Sequence, residues 1–329
     1  MQPITRERGR QAFQSTCLVL FAVLVSLAAI EIVLRVIDLR VLREAAGERS
    51  LSYNYDAELG WVPTPNSRSA VTTARTIHAK HNSLGFRDIE FVPSARPAML
   101  FIGDSFVWGV DAEADERFTD LLRRRISNYT IVNAGVSGFG TDQEYLLLQR
   151  MWATIQPAVV VLIFCTDNDR KDNSSNIRYD GYQKPYFVST ADAGVVLSGQ
   201  PVPKSRQLYF KQDWLVRHWW LARAAVYAYM EVRYPPLSLP DPTERLVGKV
   251  RDLVAAHDAR LIVGLQSSDG ELIQYLRAEK IPFVNFDGAE AYSDRYGSHW
   301  TPEGHKLVAE RLFKLLSENN ITQVDRLPR

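Results

Sequence analysis

Little in this sequence points to a disulfide framework, a nucleic-acid partner or a phosphate-binding loop. Two cysteines, Cys17 and Cys165, occur in 329 residues, too few to staple a fold. Cys17 lies in an apolar N-terminal run and Cys165 ends an apolar β-type run, so no bridge between them is expected. The formal charge is only +1, which gives no support for a nucleic-acid partner. There is no G-x-x-x-x-G-K-[ST] loop and no G-x-G-x-x-G turn, so no cofactor is expected. Gly135-Val136-Ser137-Gly138-Phe139 misses the G-x-S-x-G elbow at its last position. His78 and His81 lack a cysteine or acidic cluster, so no metal is expected either. The length suits one large catalytic domain with appendages, or two domains.

What is present begins at the N-terminus. Arg6, Arg8 and Arg10 precede Ser15–Ile30, which is uncharged and mostly apolar. Extending the run to Leu34 reaches the roughly 20 residues of a membrane span if Glu31 sits near the interface. The basic flank favours an anchor with the bulk of the chain outside the cytoplasm. A cleaved signal ending near Ser26-Leu27-Ala28 and a buried soluble helix are the rivals. Arg35–Arg49 reads as an amphipathic stalk helix. The segment up to residue 97 reads as extended, β-prone chain packed on the outside of the main domain, with a turn at Asn82–Asp88.

From Ala98 onward, apolar runs alternate with helical patterns. The strands expected are Ala98–Ile102, Thr130–Asn133, Ala158–Phe164, Ala259–Leu265 and Phe283–Phe286. Continuous apolar strands predict a parallel sheet covered on both faces. Helices are expected over Glu116–Ile126, from Thr141 through Trp152, over Leu272–Glu279 and over Leu307–Leu316. Thr141-Asp142-Gln143-Glu144 and Ser268-Asp269-Gly270-Glu271 read as capping boxes. Thr301-Pro302 reads as a cap followed by a first-turn proline. Repeated βα units predict an α/β doubly wound sheet, whose site lies beyond the carboxyl ends of the strands.

Four features fall at those ends. Gly103-Asp104-Ser105 follows the first strand, and Asn133-Ala134-Gly135-Val136-Ser137-Gly138 the second. Thr166-Asp167-Asn168-Asp169 follows the third, and His299 comes after the last. These are parts for acyl transfer. Ser105 would be the nucleophile and His299 its base. The Ser105 and Gly138 N–H groups and the Asn168 amide would hold the oxyanion.

These four blocks resemble those of the SGNH (GDSL-type) hydrolases, over about Ala98–Asn319. Gly103-Asp104-Ser105, Gly138, Asn168-Asp169 and His299 match the family's blocks, with Thr166 where its third block has glycine. His305 matches a common, non-catalytic second histidine, and Asn82–Asp88 a segment preceding the domain in membrane-anchored bacterial members. The resemblance implies a flavodoxin-like three-layer α/β/α sandwich and metal-free esterase or acyltransferase chemistry. The family's D-x-x-H acid would stand at Tyr296, so Asp294, two residues earlier, is the candidate acid. Without one, a Ser-His dyad remains.

The resulting layout is a cytoplasmic stub and signal-anchor over 1–37, a β-rich segment over 38–97, a hydrolase domain over 98–320 and a tail over 321–329. An insertion spans about 170–242, with an aromatic-rich helix at Trp214–Arg233. That helix is either a lid or a packing or membrane-surface element. The expected function is an extracytoplasmic serine esterase or O-acyl transferase on a small-molecule or glycan ester, with acetylated glycan one candidate substrate. A retired, glycan-binding relative and a lipase-like esterase at the membrane surface are the alternatives.

Overall fold

In the computed structural model, residues 3–45, 52–179, 181–190, 194–293 and 298–322 are described, with side chains from Gly9 onward. The chain opens with α1 (Pro3–Ile37). Two antiparallel hairpins follow: β1 (Tyr53–Asp56) with β2 (Gly60–Pro63), and β3 (Arg68–Thr72) with β4 (Thr76–Lys80). Then come β5 (Ala98–Gly103), α2 (Ser105–Trp108), α3 (Phe118–Arg125), β6 (Thr130–Asn133), α4 (Thr141–Ile155) and β7 (Pro157–Phe164). After α5 (Asp169–Asn173) lie two small hairpins, β8 (Ile177–Arg178) with β9 (Tyr182–Gln183), and β10 (Tyr186–Ser189) with β11 (Val195–Ser198). Helices α6 (Arg206–Gln212), α7 (Trp214–His218) and α8 (Trp220–Arg233) precede α9 (Thr243–Ala255). The chain closes with β12 (Arg260–Leu265), α10 (Gly270–Ala278), β13 (Phe283–Asn285) and α11 (Pro302–Glu318).

The chain divides into two compact units, Met1–Glu44 with Arg206–Pro235, and Ala45–Ser205 with Pro236–Arg329. The second holds a five-stranded parallel sheet in the order β13-β12-β7-β5-β6. This is the flavodoxin-like order, and it reverses direction between β5 and β7, where doubly wound proteins bind their ligands. Every residue of β5 is buried and β7 nearly so, because helices cover both faces. On one face, Phe118 and Leu122 of α3 and Val308 and Leu312 of α11 pack on Met99, Phe101, Val159 and Val161. Helices α4 and α9 pack together on the other. The five expected strands are all present, within about a residue at each end.

Caps differ in detail. Thr301 caps α11, accepting from the Gly304 N–H at 3.1 Å, with Pro302 next. At α10 the cap is Asp269, not Ser268, whose hydroxyl and N–H bond Asp287. At α4 no capping box forms. Gly140 is the cap and Thr141 the first helical residue, while Glu144 turns into a buried carboxyl cluster. The insertion is cross-braced inside this unit. Lys184, fully buried, pairs with buried Asp142 and donates to the Asp172 carbonyl at 2.9 Å.

In the first unit, α1 is long and apolar enough to cross a membrane. Residues 11–30 carry no charge, which at 1.5 Å per residue is about the 30 Å of a bilayer's hydrocarbon core. Among the described residues, which here end at 45, no stalk helix continues it. Helix α1 stops at Ile37 and a single 3₁₀ turn follows at Arg40–Leu42. The aromatic-rich stretch is also not one helix, because Trp219 is extended and divides α7 from α8. The Glu31 carboxylate accepts the N–H groups of Trp220 and Leu221 at 3.0 and 2.8 Å, at the start of α8. Arg35 donates to the His218 carbonyl at 2.6 Å. Arg223 donates to the Leu42 carbonyl and to Glu44, tying α8 to the chain beyond α1.

Candidate active site

Ser105 opens α2 immediately after β5. Asp104 caps that helix, accepting from the Phe106 N–H at 2.9 Å, and the turn swings the serine to the sheet's carboxyl edge. His299 arrives from the opposite end of the chain. Its backbone is fixed because the His299 carbonyl accepts the Tyr292 N–H at 2.8 Å and Ala291 bridges Trp300. Phe106 and Trp300 meet edge to face behind the site at 4.7 Å, with Phe106 5.2 Å from the imidazole. The result is a contact of 3.0 Å between Ser105 Oγ and His299 Nε2. Both residues are buried.

On the far side of the ring, His299 Nδ1 lies 3.6 Å from Asp111 Oδ2. That is ion-pair distance and longer than a hydrogen bond. Such contacts are often loose in unliganded sites and tighten during reaction. The residues at 294–297, Asp294 and Tyr296 among them, lie outside the described residues, so the expected acid has no structural counterpart here. Asp111 was not singled out by the sequence. Its carboxyl is fully buried, and burial opposes its ionisation. The His299 imidazole, the Thr73 hydroxyl and the Arg75 N–H (3.2 Å) outweigh that and hold it below the usual carboxylate range.

Two upstream elements set Asp111. The β3–β4 turn supplies Thr73 and Arg75. Arg87, in the Asn82–Asp88 turn, donates to the carbonyls of Gly109 at 2.5 Å and Ala112 at 2.8 Å, on either side of the aspartate. Asp111 itself sits at φ +63°, a left-handed conformation that Asp tolerates better than most residues. Burial, and Arg117 beside it, pull Arg87 down to about 9, which still leaves it charged at neutral pH.

The Gly138 side of the site is also built from upstream residues. Gly138 has φ +83°. The Tyr179 ring and hydroxyl stand 2.4 and 2.8 Å from where a Cβ at 138 would be, so a side chain there is excluded. Tyr53 Oη and Trp61 Nε1 donate to the Ser137 carbonyl at 3.1 and 3.4 Å. Across a trans peptide the carbonyl and the next N–H point in opposite directions. The two aromatics on β1 and β2 therefore aim the Gly138 N–H. Neither the Gly138 nor the Ser105 N–H gives a backbone hydrogen bond among the described residues.

Asn168 is deployed differently from the expectation. Its amide donates to Asp172 at 2.7 Å and to Asp169 at 3.2 Å, and its carbonyl accepts the Cys165 thiol at 2.8 Å. Both of its donors are thus committed within α5. Oxygen atoms of Asp104 and Asp169 and the Cys165 sulfur approach within 4.8 Å of one another. Burial pushes the Cys165 thiol and the Asp169 carboxyl well above their ordinary ranges. His305 is buried, accepts the Phe118 N–H at 3.3 Å and is driven down to about 3 by burial, so it is neutral and structural. His81, lowered to about 4 by burial, accepts the Trp108 indole N–H at 3.2 Å.

The blocks that resemble those of the SGNH (GDSL-type) hydrolases thus lie at the carboxyl ends of the parallel strands. Several solved structures are similar to this chain in fold. They include TesA, at 14% identity and TM-score 0.40, covering 67% of this chain and 98% of that one. A lipolytic protein of the G-D-S-L family from Veillonella parvula is 13% identical, with TM-score 0.39, over 67% of this chain and 98% of its own. A two-domain esterase active on acetylated mannans is 12% identical, with TM-score 0.41, over 71% of this chain and 52% of its own. No protein-family model and no curated protein matches the sequence.

Proposed function

We propose that this chain is a membrane-anchored, extracytoplasmic serine esterase working through Ser105, His299 and Asp111. The observation that carries the proposal is the 3.0 Å contact between Ser105 Oγ and His299 Nε2. Ser105 attacks the ester carbonyl as His299 Nε2 takes its proton. The oxyanion is met by the N–H groups of Ser105 and Gly138. His299 returns the proton to the leaving alcohol, and water then repeats the sequence to release the acid. A sugar hydroxyl in place of that water gives acyl transfer. Asp111 orients the imidazole and stabilises its cation. The Asn168 amide drops out as an oxyanion donor because its hydrogens are spent on Asp172 and Asp169.

The rival reading, a retired glycan-binding fold, drew on the absence of a D-x-x-H acid. An aspartate against His299 Nδ1 removes that support. Arg6, Arg8 and Arg10 on the N-terminal side of α1 favour an external catalytic unit. For substrate we favour short O-acyl groups on a glycan. Tyr179, with Arg178 stacked 4.2 Å from its ring, offers a sugar-stacking face beside Gly138. The test is turnover of p-nitrophenyl esters of increasing chain length, with an O-acetylated oligosaccharide alongside. The highest kcat/KM is expected on acetyl esters. A rise toward long chains indicates the lipase-like alternative, and no turnover on any ester contradicts the proposal.

The aromatic clamp on Ser137 gives a finer expectation. Tyr53→Phe removes one hydroxyl and leaves the ring. Loss of a positioning hydrogen bond worth about 1 kcal/mol lowers kcat by roughly fivefold. KM should stay unchanged, because the Gly138 N–H acts on the oxyanion and not on the bound ester. A parallel rise in KM with kcat intact would place Tyr53 in substrate binding instead.

A further inference from the structure

We propose that α7 and the first turn of α8 form an aromatic platform that rests in the headgroup layer of the lipid bilayer, where α1 leaves the hydrocarbon. The inference rests on reading α1 as a membrane span. Its first observation is exposure. Trp214 is 70% exposed, Leu215 53% and Trp219 45%. Large apolar side chains clustered on one surface mark an interaction site. Val216 between them, by contrast, is buried.

The second observation fixes what covers that surface. Glu31 is the first charged residue after the uncharged run of residues 11–30. With those residues filling the hydrocarbon, Glu31 stands at its edge. The same carboxylate accepts the N–H groups of Trp220 and Leu221, and Arg35, one turn further on, holds the His218 carbonyl. Trp219 and His218 are therefore tied to α1 between residues 31 and 35. That interval is about 6 Å of helix, and the headgroup layer is roughly 5–8 Å deep on each side. The ties also explain a glutamate at the end of an apolar helix. Its charge is satisfied by the amide donors at the start of α8 and by Arg35, with which it forms a 2.6 Å ion pair.

The chemistry fits the location. Indole rings concentrate at membrane–water interfaces, where an apolar body and an N–H donor are both accommodated. Exposed Arg217 and His218 stand between the two tryptophans and supply hydrogen-bond donors for lipid phosphates. A lipid surface accounts for the aromatic exposure, the adjacent basic residues and the attachment to α1 together.

The test uses the full chain in liposomes containing lipids brominated near the carbonyl end of their acyl chains. Wild-type tryptophan fluorescence is expected to be quenched, and Trp214→Phe/Trp219→Phe to lose most of that quenching. Hydrolysis of a soluble ester by the double variant should match wild type, showing that it folds. Resistance to alkaline-carbonate extraction reports the span independently. A carbonate-resistant chain whose quenching is the same in wild type and variant overturns the platform and leaves the span. A chain released by carbonate overturns both. Photocrosslinking from position 214 to a protein, with quenching unchanged, assigns the surface to a protein partner and also overturns the proposal.

Discussion

Replacing Ser105 with alanine is expected to lower turnover of a short-chain ester on the order of 10⁵–10⁶-fold, leaving only what binding and the oxyanion donors supply. In barrier height this is about 7–8 kcal/mol. The size follows from the geometry. Ser105 Oγ lies 3.0 Å from His299 Nε2, at the carboxyl end of β5, which pairs with β7 in the sheet. The variant should fold, since α2 is capped by Asp104 through the Phe106 N–H and not by the serine hydroxyl. His299→Ala should reach nearly the same floor, and the double variant should fall no further, because the two groups act as a unit. Unchanged turnover in Ser105→Ala would exclude the serine mechanism.

The second large effect belongs to Asp111. Asp111→Asn keeps the shape of the side chain and removes its charge. In serine proteases the corresponding change lowers kcat about 10⁴-fold, and a loss of roughly 10³–10⁴ is expected here, about 4–5.5 kcal/mol. Asp294→Asn should stay within about twofold, the range of a substitution away from the site. The pH profile separates the roles further. Asp111 is held below the ordinary carboxylate range, so it is ionised throughout the neutral region. Wild-type kcat/KM should therefore fall with decreasing pH as the imidazole protonates, since His299 works as a base only when neutral. If Asp294→Asn carries the large loss and Asp111→Asn does not, the D-x-x-H segment supplies the acid after all.

Most of the sheet was legible because its strands are short, apolar and continuous, and because strand ends in a doubly wound fold collect function. Ser105, Gly138 and His299 stood out for that reason. The aspartate proposed as the acid did not, since nothing local marks Asp111. Its role depends on a left-handed backbone at residue 111 and on Thr73, Arg75 and Arg87, which reach it from 24 to 38 positions upstream. The signal available was the unassigned Asn82–Asp88 turn, whose Arg87 holds the loop. Asn168 is placed otherwise than its motif suggests, for the opposite reason. It matches a motif, but Asp172 lies one helical turn further on and captures its amide. The segment before residue 97 reads as outer padding because its strands are short and irregular. In the fold its hairpins aim the Gly138 N–H through Tyr53 and Trp61 and fix Asp111 through Thr73 and Arg75. The capping reading at Thr141 failed because Glu144 is drawn into the buried carboxyl cluster, where Asp104 and burial itself push it well above its ordinary range.

The central claim is that Ser105 is an activated nucleophile. Its most direct test is covalent labelling of the full chain with a fluorophosphonate, followed by peptide mass mapping of the adduct. The account predicts one adduct, on Ser105, absent from His299→Ala and strongly slowed in Asp111→Asn. No adduct on the folded wild-type chain, or an adduct on a different serine, would contradict it.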